Sequence, residues 1–132
     1  MNSEPLESTP DTQKEKKTCT IAEDWILLMR VVLQDAAGQA KAKVPRDGFF
    51  SKIKVGLIYP GDEEIRGLLN LEPGSGKAGR VAHVGAYRYG SDRVVSNFFF
   101  FDSTQDLMDW LQAEDTGPKL IEIYQHLRER VK

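Results

Sequence analysis

The sequence reads as an α+β domain: an N-terminal helix, a three- or four-stranded antiparallel meander, and two C-terminal helices. Three observations point that way. Apolar residues recur first at helical spacing, then alternate with period two, then return to helical spacing. The helical and extended patterns are segregated along the chain rather than interleaved, the arrangement of α+β rather than α/β proteins. Turn residues, not long crossovers, separate the extended runs, which makes consecutive strands antiparallel neighbours.

The first helix is expected over Ile21 to Lys43. Thr20 and Glu23 have capping-box spacing. Beyond them Ile21, Trp25, Leu28, Met29, Val32, Leu33, Ala36 and Ala40 fall on one stripe, with Glu23, Arg30, Gln34 and Lys41 largely elsewhere. Gly38 weakens the second half by roughly 1 kcal/mol relative to alanine. Val44-Pro45 ends the helix, because proline disfavours the α conformation in the residue before it.

In SKIKVGLIY, Ile53, Val55 and Leu57 alternate with Lys52, Lys54 and Gly56, the signature of a strand. EEIRGLLNL is ambiguous. Ile65, Leu68 and Leu69 suit a short helix, whereas Ile65, Gly67, Leu69 and Leu71 suit a strand. The Pro-Gly-Asp turn between two extended patterns favours a hairpin.

The segment NLEPGSGKAGRVAHVG resembles a phosphate-binding loop only superficially. Ala78 stands after Gly76-Lys77 where a magnesium-binding hydroxyl is needed, and Leu71 stands where the first glycine belongs. The next residues, GRVAHVGAYRY, alternate with period two, so no helix N-terminus supplies the amide donors. The segment is read as an inter-strand loop.

GRVAHVGAYRYGSDRVVSNFFFFD reads as a hairpin around Gly90-Ser91-Asp92. A two-residue loop sets Arg88 opposite Arg93, an unfavourable like-charge pair. A three-residue loop avoids it and sets Ala82, Val84 and Ala86 across from Phe100, Phe98 and Ser96. That second register is favoured, small residues facing large ones. Four consecutive phenylalanines, Phe98 to Phe101, place rings on both faces. Both faces then need a cover, supplied by the chain's own helices or by a second chain.

Asp102 or Ser103 can cap the next helix, with Asp106 in its first turn and Leu107, Trp110 and Leu111 on its apolar side. Pro118 sits near the start of the last helix, striped by Leu120, Tyr124, Leu127 and Val131. The α-βββ-α order is shared with double-stranded-RNA-binding domains. Their lysine-rich second helix start is replaced here by the acidic STQDLMDW, so that assignment is rejected.

Residues 1–19 are rich in Ser, Thr, Pro, Glu and Lys and have little to bury. They are expected to form a disordered polar tail, with residues 20–132 as a single α+β domain. The formal charge of −2 gives no field suited to duplex DNA or an anionic membrane. No signal-like or membrane-spanning run is present, and the single Cys19 cannot form an internal disulfide, so a cytoplasmic location is expected. Two separated histidines, His83 and His126, and one cysteine do not supply four metal ligands, and no cofactor is implied. The acid pairs Glu63-Glu64 and Glu114-Asp115 point apart, so no catalytic constellation emerges.

The hairpin carries the candidate surface. His83, Tyr87 and Tyr89 share one side of their strand in either register, and the favoured register adds Arg93, Val95, Asn97 and Phe99. Arg88 completes the candidate binding set, and Arg66 and Arg80 could add charge nearby. Gly85 and Gly56 mark close approaches or bulges. The reading favoured is a non-catalytic protein-binding or adaptor module, its partner another protein or a second copy. Single-stranded nucleic acid, bound by the aromatic and arginine residues, is the first alternative. An enzyme with a site around His83 and Tyr87 is the second.

Overall fold

The computed structural model describes residues 20–43, 52–72 and 80–132. The polar N-terminal segment with Cys19, the Val44-Pro45 helix stop and the Gly74–Lys77 part of the glycine-rich loop lie outside the described residues. Element order is α1 (Ile21–Lys43), β1 (Ile53–Tyr59), β2 (Asp62–Glu72), β3 (Arg80–Arg88), β4 (Val95–Phe101), α2 (Thr104–Gln112) and α3 (Thr116–Val131). The α+β reading holds, with four strands in one antiparallel meander ordered β1-β2-β3-β4.

α1 opens with the expected capping box. Thr20 Oγ1 accepts the Glu23 amide at 3.1 Å, and the Glu23 carboxylate accepts the Thr20 amide at 2.9 Å. The bond from the Thr20 amide, and after it one from the Thr20 hydroxyl to the same carboxylate, hold the Glu23 carboxyl below its ordinary range. Trp25, Met29, Val32, Leu33, Ala36, Ala37 and Ala40 form the buried stripe. Ile21, expected on that stripe, is instead half-exposed at the helix start, its side chain near Gly61.

The ambiguous 64–71 segment is strand. A two-residue Pro60-Gly61 loop joins β1 to β2, with Tyr59 opposite Asp62. Gly61 supplies the positive φ of 78° that the turn requires. Burial then alternates along β1, along β2 from Ile65 and along β3 except at Gly85. Ile53, Val55, Leu57 and Tyr59 of β1, Ile65, Leu69 and Leu71 of β2, and Ala82, Val84 and Ala86 of β3 all face the core.

The three described helices pack on that one face. Trp25, Tyr59 and Tyr124 form the centre, with Trp25 edge-on to Tyr59 at 5.1 Å between centroids. The Tyr59 hydroxyl donates to the Tyr124 carbonyl (2.6 Å), and the Tyr124 hydroxyl donates to the Leu68 carbonyl (2.7 Å). Burial pushes both phenol pKa values far up, so the hydroxyls stay protonated donors. This chain of two bonds ties α3 to β1 and β2 without leaving a buried hydroxyl unpaired.

Ser103 caps α2, its side chain accepting the Asp106 amide at 3.0 Å. The buried Thr116 hydroxyl donates to the Trp110 carbonyl at 2.5 Å and fixes the α2–α3 corner.

The β3–β4 register departs from the favoured expectation. His83 pairs with Phe98, Ala82 with Phe99 and Val84 with Asn97. This is the alignment of the two-residue loop, disfavoured from the sequence because it opposes Arg88 to Arg93. The clash never arises, because the ladder opens beyond Ala86–Val95. β3 continues alone against β2: Arg88 reaches Glu64 at 3.0 Å, and the Tyr89 amide bonds the Glu64 carbonyl. The chain turns through Gly90, with the Ser91 hydroxyl accepting the Arg93 amide.

Candidate binding face

Side chains alternate across a strand, so the one-residue register difference moves every β4 side chain to the other face. Phe99 and Phe101 point towards the helices, each with its ring centroid 5.2 Å from that of Trp110. Phe98 and Phe100 stand on the opposite face, 49% and 75% exposed. Both faces were expected to be covered; among the described residues, helices cover one face only.

The uncovered face is built from alternate residues of all four strands. β1 contributes Lys54, Gly56 and Ile58. β2 contributes Arg66, Leu68 and Asn70. β3 contributes Val81, His83, Gly85 and Tyr87, and β4 contributes Ser96, Phe98 and Phe100. His83 lies flat on Phe98 (centroids 4.5 Å apart, planes at 13°), and Phe98 lies beside Phe100 at 6.4 Å. The His83 Nε2 shares a 2.7 Å hydrogen bond with Ser96 Oγ. Burial under these neighbours lowers the His83 pKa below its ordinary value, with Glu72 opposing and Lys52 assisting. The imidazole is therefore neutral near pH 7, a flat aromatic surface rather than a cation.

Near β1 a shallow depression of about 470 Å³ is lined by Gly56, Ile58, Arg66 and Tyr87 of this face together with Leu57, Gly67 and, from α1, Leu28. Arg66 pairs across the strands with Tyr87, and its guanidinium lies 4.6 Å above the exposed Tyr89 ring. It also donates to the Glu63 carbonyl. Gly85 is a close approach rather than a bulge: a Cβ there would come within 3.0 Å of both Leu68 and Val94.

Three expected site residues, His83, Tyr87 and Tyr89, are thus brought together with Arg66. Four are not. Asn97 and Phe99 lie on the helix side of β4, opposite Val84 and Ala82. Arg88 is paired with Glu64 at the strand end, and Arg93 is in the turn. Arg80 is engaged at the start of α2, its Nε donating to Thr104 Oγ1 at 2.8 Å. Ser96, Phe98 and Phe100 were missed as members. Their common parity was legible, but the register that joins them to His83 depended on how far the ladder stays closed.

Two ion pairs flank this face, while Lys54 and Arg66 on it are in no ion pair among the described residues. Lys52 lies 3.7 Å from Glu72, and Arg88 lies 3.0 Å from Glu64. Among the described residues, no group of three or more His, Cys, Asp or Glu side chains could hold a metal ion. No described helix is long and apolar enough to cross a membrane. No family model matches the chain, and neither a curated protein nor a solved structure does.

Proposed function

We propose that the protein is a non-catalytic protein-binding module whose contact surface is the uncovered sheet face. The observation that carries this reading is the aromatic row of His83, Phe98 and Phe100 left in solvent on a sheet whose other face is packed. With Ile58 half-exposed and Leu68 and Tyr87 half-buried beside it, the row is part of an apolar patch with a polar rim, the anatomy of a protein interface.

The same stacked rings could receive unpaired bases, so single-stranded nucleic acid is the competing reading. Nucleic-acid affinity rests on phosphate neutralisation. Here Lys52 and Arg88 are matched by acids, His83 is neutral and the chain carries a formal −2. These features favour a protein partner.

The test uses isotopically labelled full-length protein and two probes: mixed-sequence single-stranded oligonucleotides at low salt, and peptides selected from a random display library. Selected peptides are expected to shift the amides of His83, Gly85, Phe98 and Phe100, and to lose at least about tenfold in affinity against Phe100→Ser. Oligonucleotides are expected to leave those amides unmoved. Oligonucleotide shifts on this face that fade with salt would replace the proposal with the nucleic-acid reading. Peptides that map elsewhere and ignore Phe100→Ser would overturn it outright.

A further inference from the structure

The two edges of the sheet are finished differently. β1 carries Lys54 near one end, with Lys52 just before it, and a register irregularity at Ile58/Tyr59 at the other, both devices that blunt an edge. Its core-facing residues, Ile53, Val55, Leu57 and Tyr59, are all buried. β4 has neither device. Val95–Phe101 reads VSNFFFF, without a charge or a proline. Its core-facing Val95, Phe99 and Phe101 are only half-buried, and so is Trp110 behind them. Among the described residues, no strand pairs with the outer side of β4. The core is therefore unfinished along the same edge that lacks protection against another strand.

We propose that β4 pairs antiparallel with β4 of a second copy, about a two-fold axis through Phe98. Two features argue for a second copy over another strand. The first is charge. The uncharged run is bounded by Arg93 on one side and Asp102 on the other. Antiparallel self-pairing brings each Arg93 end beside the Asp102 end of the other copy, so both ends attract. Parallel pairing would set like ends together. The second is registry. Opposed residues must share a face, so a symmetric pair has a residue, not a gap, on the axis. Of these alignments only the one centred on Phe98 overlaps the whole seven-residue strand.

That alignment sets Phe98 against Phe98 of the second copy, Phe100 against Ser96, and Phe99 against Asn97. The half-buried Phe99 and Phe101 gain a neighbouring strand. The two sheets become one continuous sheet with all helices on one side, and the His83–Phe98 stacks of the two copies meet at the axis. The open face then becomes a double-width, bivalent surface. The pairing uses the edge of β4, so it stands or falls separately from what the open face binds.

The experiment is sedimentation of the full-length protein over a concentration series, with folding of each variant checked by amide dispersion. Wild type is expected to dimerise. Phe98→Lys and Phe98→Glu, each placing like charges across the axis, should each weaken the dimer at least about tenfold. Mixing the two variants should restore a heterodimer, since opposite charges then meet. Ile58→Lys, on the same face at the far strand, should leave dimerisation intact. A wild type that stays monomeric at its highest soluble concentration overturns the proposal. So do single variants that still dimerise, or a mixture that does not reassociate. Dissociation by Ile58→Lys would instead indicate stacking of two open faces and also overturns it.

Discussion

Tyr124 shows how one side chain can join three elements. Its ring fills the space above Gly67, its carbonyl accepts from Tyr59 and its hydroxyl reaches Leu68. Tyr124→Phe keeps the ring and leaves the Leu68 carbonyl without that donor; it should cost about 1 kcal/mol, read as a lower urea midpoint at unchanged slope. Gly67→Ala should cost more. The new Cβ would lie 2.8 Å from Leu57 Cδ1 and 3.2 Å from the Tyr124 ring, both buried, for an overpacking penalty of about 1–3 kcal/mol. Gly56→Ala is the control, because its Cβ would meet only a backbone oxygen at 4.0 Å, and stability should change by no more than about 0.5 kcal/mol. His83 contributes a pH dependence of definite sign. Its folded pKa lies below its ordinary 6.5, so on acidification the unfolded chain takes up the proton first. Stability present above about pH 6.5 is lost as pH falls through the folded pKa. Urea midpoints at about pH 8 and about pH 5 should differ less in His83→Gln than in wild type.

At the scale of elements, local chemistry and packing divide the work unevenly. α1 is defined by its own residues: capping box, stripe and length agree with the helix formed. Thr20→Ala removes the cap acceptor and should lower stability by about 1 kcal/mol, with increased amide exchange confined to the first turn of α1. β2 is less self-defining. Its period suited helix or strand, and the positive φ at Gly61 between β1 and β2 decided it, by returning the chain alongside β1. β4 is least so. Val95 to Phe101 is strongly extended in any context, but nothing within it states where β3 must stop following it. Where the ladder has opened, Arg88 and Tyr89 are bonded to Glu64 of a third strand, β2.

At the scale of the molecule, the three described helices and the four-stranded sheet make two layers, which cover one sheet face. The phenylalanine run on β4 therefore divides, Phe99 and Phe101 going to Trp110 and Phe98 and Phe100 to solvent. If two copies pair through β4, folding and association are linked. The thermal midpoint should then rise with protein concentration in wild type and stay constant in Phe98→Lys, a comparison that differential scanning calorimetry can make.

The α+β class, the extent of α1, its capping box and the alternation of β1 were legible in the sequence, because their signals lie within a few residues of one another, whereas the α2 cap was narrowed only to Asp102 or Ser103. The sequence also placed His83, Tyr87 and Tyr89 on one side of β3, since parity along a strand is local. Tertiary structure alone decided which β4 residues joined them. Asn97 and Phe99 were expected there, and Ser96, Phe98 and Phe100 took the place. A single residue of register exchanges the two sets, and the like-charge pair that counted against the observed register is absent because the β3–β4 ladder opens beyond Ala86–Val95 while β3 stays paired to β2.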